Sequence, residues 1–304
     1  MTMKSLLLIA ALLGPADCQQ AMLALSGASS MEELSADEVL RYQALSEHPL
    51  DINIAGESHL RSSGLFSAFQ LASLLEYRRE SGDILSFAEL GLIDGFSPQT
   101  AEALSFFVSL HSSAPPGRRR RLDLHNTLTI KASGRQTGEM AYGLRYEASA
   151  GETAELRWTS RTTYSEPEPS LGTVSAAYYG RRALGKVVVG NYSARFGQGL
   201  VAWSGFSLSG YSSAESFSRK AGGLGVTGAA EAELLGIASD WHLGDYRLSA
   251  AFDAGMKGSV LNLSRDWKRL SAGVTAGMQA ASVDWRVSFR DGSFFGETAI
   301  SYKG

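Results

Sequence analysis

The residues that could do chemistry in this 304-residue chain are few and far apart. Its five histidines, His48, His59, His111, His125 and His242, never fall three to five residues from one another or from a cysteine, the spacing a zinc site needs. No His-Glu-x-x-His, Gly-x-Ser-x-Gly or Ser-x-x-Lys motif and no phosphate loop with its lysine occurs. Ser204 or Ser207 with His242 is the one hydrolytic pairing to consider, because such pairs are assembled in space. The expectation is therefore a non-enzymatic protein with no catalytic residue, no metal and no cofactor. One basic cluster stands out, Arg118-Arg119-Arg120-Arg121, after Ala114-Pro-Pro-Gly117. Four guanidinium groups in a row suit phosphate, as nucleic acid or lipid head group, or a solvated linker that docks one domain on another.

The elements that would carry these residues come in two kinds. From Leu122 onward apolar and polar residues alternate: Leu122, Leu124, Leu128, Ile130 and Ala132 against Asp123, His125, Thr127, Thr129, Lys131 and Ser133. Met140, Tyr142, Leu144, Tyr146 and Ala148 then oppose Glu139, Arg145, Glu147 and Ser149, and Leu156 and Trp158 oppose Glu155, Arg157 and Arg161. Period 2 is the signature of a strand with one greasy face. Charges at so many inward positions are too costly for a dry core without partners, whereas a polar lumen with a lipid-facing exterior accommodates them, which predicts a transmembrane-type β-barrel. Further strands are predicted over Thr173 to Gly180, Gly185 to Arg195, Leu234 to His242, Tyr246 to Ala254, Ser259 to Trp267, Leu270 to Gln279, Val283 to Arg290 and Phe294 to Tyr302, eleven in all. Bacterial single-chain barrels close with an even number. The last residues, Ile300 to Gly304, also lack a terminal aromatic. Either the wall is incomplete, or one strand is miscounted.

Composition divides at the same place. All five Trp, 25 of the 33 Gly and nine of the eleven Tyr follow Leu122, while Met31 to Leu110 has helical spacing. The fold class expected is α+β with segregated domains, all-α first and an antiparallel barrel of about 10–12 strands second. Lys4, the apolar run Leu6 to Leu13 and Ala16-Asp17-Cys18 read as a signal peptide over residues 1–18. Residues 31–110 form the helical domain, 111–121 the Pro/Arg linker and 122–304 the β domain. A net charge of −3 marks neither a nucleic-acid binder nor an acidic tail. No later apolar run reaches the length of a membrane helix, so any membrane crossing must be β.

Within the helical domain the capping signals are strong. Ser35 with Glu38, Ser67 with Gln70 and Ser86 with Glu89 read as capping boxes, Gly82 as a stop, and Ser97-Pro98 as an N-cap followed by proline. The stretch 49–110, with Pro49-Leu-Asp-Ile-Asn53, Gly64-Leu65-Phe66, Phe69 to Arg79, Glu89-Leu90 and Ile93-Asp94-Gly95-Phe96, resembles the tandem helix-hairpin-helix module of ComEA-type competence proteins. The resemblance implies two hairpins, each with glycine backbone at a helix N-terminus positioned for a phosphate. Here the second glycine of each hairpin is replaced, by Phe66 after Gly64-Leu65 and by Ser97 after Gly95-Phe96. With three Arg against eight acids, the stretch is at −5. Because phosphate neutralisation dominates affinity for nucleic acid, DNA is a disfavoured partner and protein docking is preferred.

Gly190-Asn191-Tyr192-Ser193-Ala194-Arg195-Phe196-Gly197-Gln198-Gly199 to Trp203 resembles a signature of a Bacteroidetes family of exported proteins that join a helix-hairpin-helix module to a barrel-like region. The resemblance implies an outer-membrane location, with membrane lipid and an envelope protein as partners. Physically, Gly197 and Gly199 permit a bend or bulge, and Ser204 to Gly225 lacks alternation, as a loop folded into the lumen would. The competing expectations are a kink at a barrel corner and a contact or gating loop. Three functions follow: an outer-membrane barrel with a periplasmic helical domain serving transport, secretion or envelope assembly; a competence-type DNA receptor; a soluble periplasmic β-rich interaction protein.

Overall fold

The computed structural model describes residues 16–113, 124–134, 139–164, 171–180, 182–204, 221–227, 234–267, 269–289 and 292–302. Helices come first: α1 (Ala16–Ser26), a 3-10 turn (Met31–Glu33), α2 (Ala36–Glu47), α3 (Glu57–Ser62), α4 (Ala68–Glu80), α5 (Phe87–Leu90) and α6 (Pro98–Leu104). The capping residues act as their types predict. Ser35 and Ser67 close reciprocal boxes with Glu38 and Gln70. Ser86 caps α5, and the Glu89 carboxylate accepts the Leu85 N–H at 2.8 Å. The helices enclose a core of Met22, Leu25, Tyr42, Ile52, Leu60, Leu65, Leu71, Leu74, Ile84, Leu90, Leu104 and Phe107. A two-residue parallel pair, β1 (Leu50–Asp51) with β2 (Val108–Ser109), ties its start to its end.

The second part is one antiparallel sheet: β3 (Leu124–Gly134), β4 (Met140–Ala150), β5 (Ala154–Arg161), β6 (Thr173–Tyr179), β7 (Leu184–Arg195), β8 (Gly223–Val226), β9 (Leu234–Leu243), β10 (Tyr246–Asp253), β11 (Val260–Asp266), β12 (Leu270–Gly277), β13 (Ala280–Phe289) and β14 (Gly292–Ser301). The hydrogen-bonded order is β14-β13-β12-β11-β10-β9-β7-β6-β5-β4-β3, with β8 paired only to β7. The eleven predicted strands are the eleven of this path. β8 is the addition, a four-residue strand whose Gly-Leu-Gly-Val carries no alternation to detect. β3 and β14 pair on one side only among the described residues, so a closed barrel is not formed.

The sheet is nevertheless curled. In a flat sheet β7 and β14 would lie six strand spacings apart, about 29 Å. Yet the turn that follows β7 donates the Gln198 and Leu200 N–H groups to the Glu297 carboxylate of β14, at 2.7 and 3.1 Å. The outer face presents Ile130, Ile237, Phe252, Leu261, Val283 and Ile300, each about half exposed or more. The inner face buries Ser175, Lys186, Asp240, Ser249, Asn262 and Thr275.

One strand leaves the wall. β7 pairs with β6 only as far as Gly190, which turns at φ 95° with Val174 O so close that a Cβ would lie 2.2 Å from it. The Asn191 side chain then accepts the Val174 N–H at 3.0 Å, replacing a ladder bond the departing backbone no longer makes. Beyond this point Tyr192, Ser193, Ala194, Arg195 and Phe196 are all buried, the first four pairing with β8 inside the curl. A small inner core of Tyr179, Val188, Tyr192, Phe196, Leu224 and Ala251 forms around them. Gly190→Val should therefore lower stability by about 2–4 kcal/mol, through the positive φ and the carbonyl clash. Gly143→Ala, where the nearest neighbour is Lys131 Cβ at 3.9 Å, should change it by less than about 1 kcal/mol. Equilibrium urea unfolding of both variants checks the contrast.

Candidate functional site: the joint between helices and sheet

Helix α3 lies against the inner face at the end of the sheet where five connections, 151–153, 180–183, 244–245, 267–269 and 290–291, run between consecutive strands. Its six residues reach four strands: Ser62 meets Tyr179 of β6, Ser58 meets His242 of β9, Glu57 meets Arg247 of β10 and Arg61 meets Asp266 of β11. A helix of this length spans only about 9 Å, so the sheet wraps it. Glu57 and Arg61, one turn apart on the helix, meet Arg247 of β10 and Asp266 of β11 in a closed square. Arg61 Nη2 is 2.6 Å from Asp266 Oδ2 and 3.1 Å from Glu57 Oε1; Arg247 is 3.2 Å from Glu57 Oε1 and 3.3 Å from Asp266 Oδ2. Each cation thus meets both anions, the arrangement that offsets the desolvation of buried charge.

The square fixes how α3 titrates. Burial would push the Glu57 carboxyl up, but Arg61, Arg247 and His242 together hold it below its ordinary range. Burial would weaken the Arg61 cation, and Asp266 and Glu57 more than restore it. Asp51, the second residue of β1, whose N–H meets Glu152 of the β4–β5 turn, is raised chiefly by burial, against the opposing pull of the Asn53 N–H and His111.

Beside this square is a cavity of about 780 Å3 between the helices and strands β4, β5, β7 and β8, lined by His48, His59, His111 and His125 among others. The His48 and His125 rings are 4.9 Å apart, and His48 Nε2 is 3.1 Å from Thr127 Oγ1. His59 stacks on Tyr179 at 3.9 Å, with Nδ1 2.9 Å from Glu152 Oε2 but not in hydrogen-bond geometry. Glu152 Oε1 accepts the Asp51 N–H at 3.0 Å, and His111 Nδ1 lies 3.1 Å from Asp51 Oδ2. His242 completes the set on the other flank of α3, 3.1 Å from Ser58 and 3.9 Å from Glu57. All five histidines, scattered over 194 positions, therefore sit at one joint. Among the described residues no group of three His, Cys, Asp or Glu could hold a metal ion.

The sequence-predicted positions divide. Gly64 (φ 68°) and Gly95 (φ 87°) make the two tight turns before α4 and α6. Both turns are covered: the Arg41 guanidinium packs on Gly64, Phe69 packs on Gly95, and Gln70 Nε2 donates to Gly95 O at 2.9 Å. Leu65 and Phe66 are buried, and Phe66 meets Phe96 edge-on at 6.2 Å. Ser97 is the N-cap of α6. Arg118 to Arg121 lie outside the described residues. Asn191, Arg195, Phe196, Gly197, Gln198 and Gly199 are the segment that enters the curl. Gly197 (φ 59°) and Gly199 (φ 92°) shape a turn whose N–H groups hold Glu297, and a Cβ at Gly197 would lie 2.9 Å from that carboxyl carbon. Ser204 is engaged with Ala194 and Arg195, and His242 with Ser58, so that hydrolytic pairing is not assembled; Ser207 lies outside the described residues.

No family model, curated protein or solved structure matches the chain.

Docking through Glu57 is complete above the ordinary carboxylate range and is lost as the pH falls through its lowered value. Asp51 works in the opposite sense: its raised pKa makes it a source of strain that grows as pH rises through the carboxylate range. Because Glu57 carries the larger network, helices docked at pH 7 should loosen below about pH 4. Glu57→Gln should weaken docking at pH 7 by about 3 kcal/mol, through two cations left partly unpaired, and should flatten the acid dependence. Amide hydrogen-exchange protection of α3, corrected for the intrinsic pH dependence of exchange and followed across pH in both proteins, measures this.

Proposed function

We propose that the chain is a non-enzymatic outer-membrane wall protein, exported by its N-terminal signal, whose helical domain is a helix-hairpin-helix module seated in the periplasmic mouth of the curl. The observation that carries the reading is the opposite chemistry of the two faces. Leu124, Leu128, Ile130, Leu235, Ile237, Phe252, Leu261, Leu263, Val283, Phe294 and Ile300 are exposed on one side, and the other holds the charged joint. An exposed apolar face of this extent exceeds what monomers in water tolerate, and matches the band a membrane strand turns to lipid.

Orientation follows from loop length. The helices lie at the end whose connections have at most four residues, while the other end has the two longest, 162–172 and 196–233, the latter including β8, beside the shorter 135–139, 254–259 and 278–279. Outer-membrane walls keep short turns on the periplasmic side, which supports the reading of a periplasmic helical domain. With the inner face occupied by α3, β8 and the Gly197–Gly199 turn, the resting protein is plugged, so the role in transport, secretion or envelope assembly proceeds through displacement of the helical module or through partners bound to it. Among the described residues, the two covered glycine turns and the module's acidic balance give a competence-type DNA receptor no supporting contact; Arg118 to Arg121 lie outside them.

Among the described residues no helix is long and apolar enough to cross a membrane, so insertion must come from strands. Expressed in a Gram-negative host, the chain should stay in the outer-membrane fraction after alkaline carbonate washing and should migrate faster in gels when unheated. Recovery in the soluble periplasmic fraction would refute the proposal.

A further inference from the structure

We infer that the outer face of the wall carries a lipid head-group site, built on Arg265 and Asp245, that takes the zwitterionic phosphoethanolamine head of a phospholipid; the inference rests on the outer-membrane reading above. The first ground is where the cation sits. Leu261 and Leu263 of β11 are exposed on the outer face, and the two-residue period of a strand turns Arg265 to the same side. The register sets it directly opposite Tyr246 of β10, which is also exposed. Hydrocarbon is a costly place for a guanidinium, so depth decides whether Arg265 is tolerated. It is the second residue from the end of β11, at the end of the sheet where the helices dock. That end of the outer face carries Tyr178, Trp241, Tyr246 and Trp267, each 40–51% exposed, whereas Ile237, Leu263, Val274 and Val283 fill its middle. Rings with one polar tip favour the layer of head groups over the acyl chains. Arg265 therefore lies where phosphates lie.

The second ground is what surrounds it. The guanidinium carbon is 5.0 Å from the Tyr246 ring centroid and 4.9 Å from that of Trp267, so two aromatic faces hold the cation in place. Nη2 meets Asp245 Oδ2 at 2.6 Å, and Nη1 meets the Tyr246 hydroxyl at 3.3 Å. Those contacts leave most of the guanidinium N–H donors unused, and Nε has no hydrogen-bond partner. Asp245, in the two-residue connection between β9 and β10, has a side chain 73% exposed, and Arg265 is its one partner among the described residues. A base and an acid with spare capacity thus stand side by side among amphipathic rings. The ligand's chemistry follows from that pair. A phosphate accepts from the remaining Arg265 donors, and a primary ammonium joined to it by a short carbon spacer donates to Asp245. A phosphoglycerol head brings no cation to Asp245. A phosphocholine head brings one that cannot donate a hydrogen bond.

The test uses the full chain, reconstituted in vesicles of equal parts phosphatidylethanolamine, phosphatidylglycerol and phosphatidylcholine, then extracted in mild detergent and weighed by native mass spectrometry. The wild-type protein should retain phosphatidylethanolamine about tenfold over either other lipid, the factor that one charge-assisted hydrogen bond supplies. Arg265→Gln should lose the retained lipid. Asp245→Asn should keep a phospholipid while losing the preference for ethanolamine over glycerol. Because the wild-type competition needs no variant, a substitution that prevents folding leaves the test standing. Equal retention of the three lipids by the wild-type chain would overturn the inference, as would an undiminished ethanolamine preference in either folded variant. Failure of the wild-type chain to insert into vesicles refutes the outer-membrane reading and this inference together, whereas insertion without a lipid preference overturns the inference alone.

Discussion

The structure depends on supplying partners to charges that face inward. Strands that alternate apolar with polar residues put Glu155, Arg157, Lys186, Asp240, Arg247 and Asp266 on one side of the sheet. Left bare inside a curl, such groups would each lose hydration without recompense. Helix α3 answers them with Glu57 and Arg61, and the wall completes the square with Arg247 and Asp266. Lys186, fully buried, is held by Asp240 at 3.5 Å and by the Leu224 carbonyl. Curvature, domain docking and the plugged interior all follow from that compensation.

Compensation also explains why β7 leaves the wall. Helix α3 meets β9, β10 and β11 at one end of the inner face, and the peeled segment adds Tyr192, Phe196 and a glycine turn clasping Glu297 of β14. Gly190 supplies the turn and Asn191 repairs the ladder where the strand departs. The segment's composition, two glycines around a glutamine after a run of buried residues, is that of a strand converted to an internal clasp. A kink in the wall and a loop in the lumen are here the same event: the first is at Gly190, the second at Gly197–Gly199.

Much of the fold was legible because local physics decides it. Period 2 marks every strand of the eleven-strand path, and Ser35, Ser67 and Ser97 mark their helices through caps that need only neighbours three residues away. β8 was not legible, since Gly223-Leu-Gly-Val226 owes its strand to pairing with β7 and not to its own pattern. The site was almost wholly hidden. His48 and His125, or His59 and Glu152, share no spacing in the chain; only the curl of the sheet around α3 brings them together. A faint signal existed in Glu57 and Arg61, an i, i+4 pair on a short helix flanked by His59, which reads as a solvated face until the wall closes over it.

The central claim is that one face of the sheet meets lipid while the other grips the helices. A nitroxide scan along β11 and β13 in lipid vesicles tests it most directly, comparing relaxation by oxygen, which concentrates in lipid, with relaxation by a water-soluble nickel chelate. The account predicts oxygen maxima at Leu261, Leu263, Val283 and Trp285, alternating with positions 262, 264, 284 and 286 that neither reagent reaches freely. Equal access of the nickel chelate to both sets would contradict it.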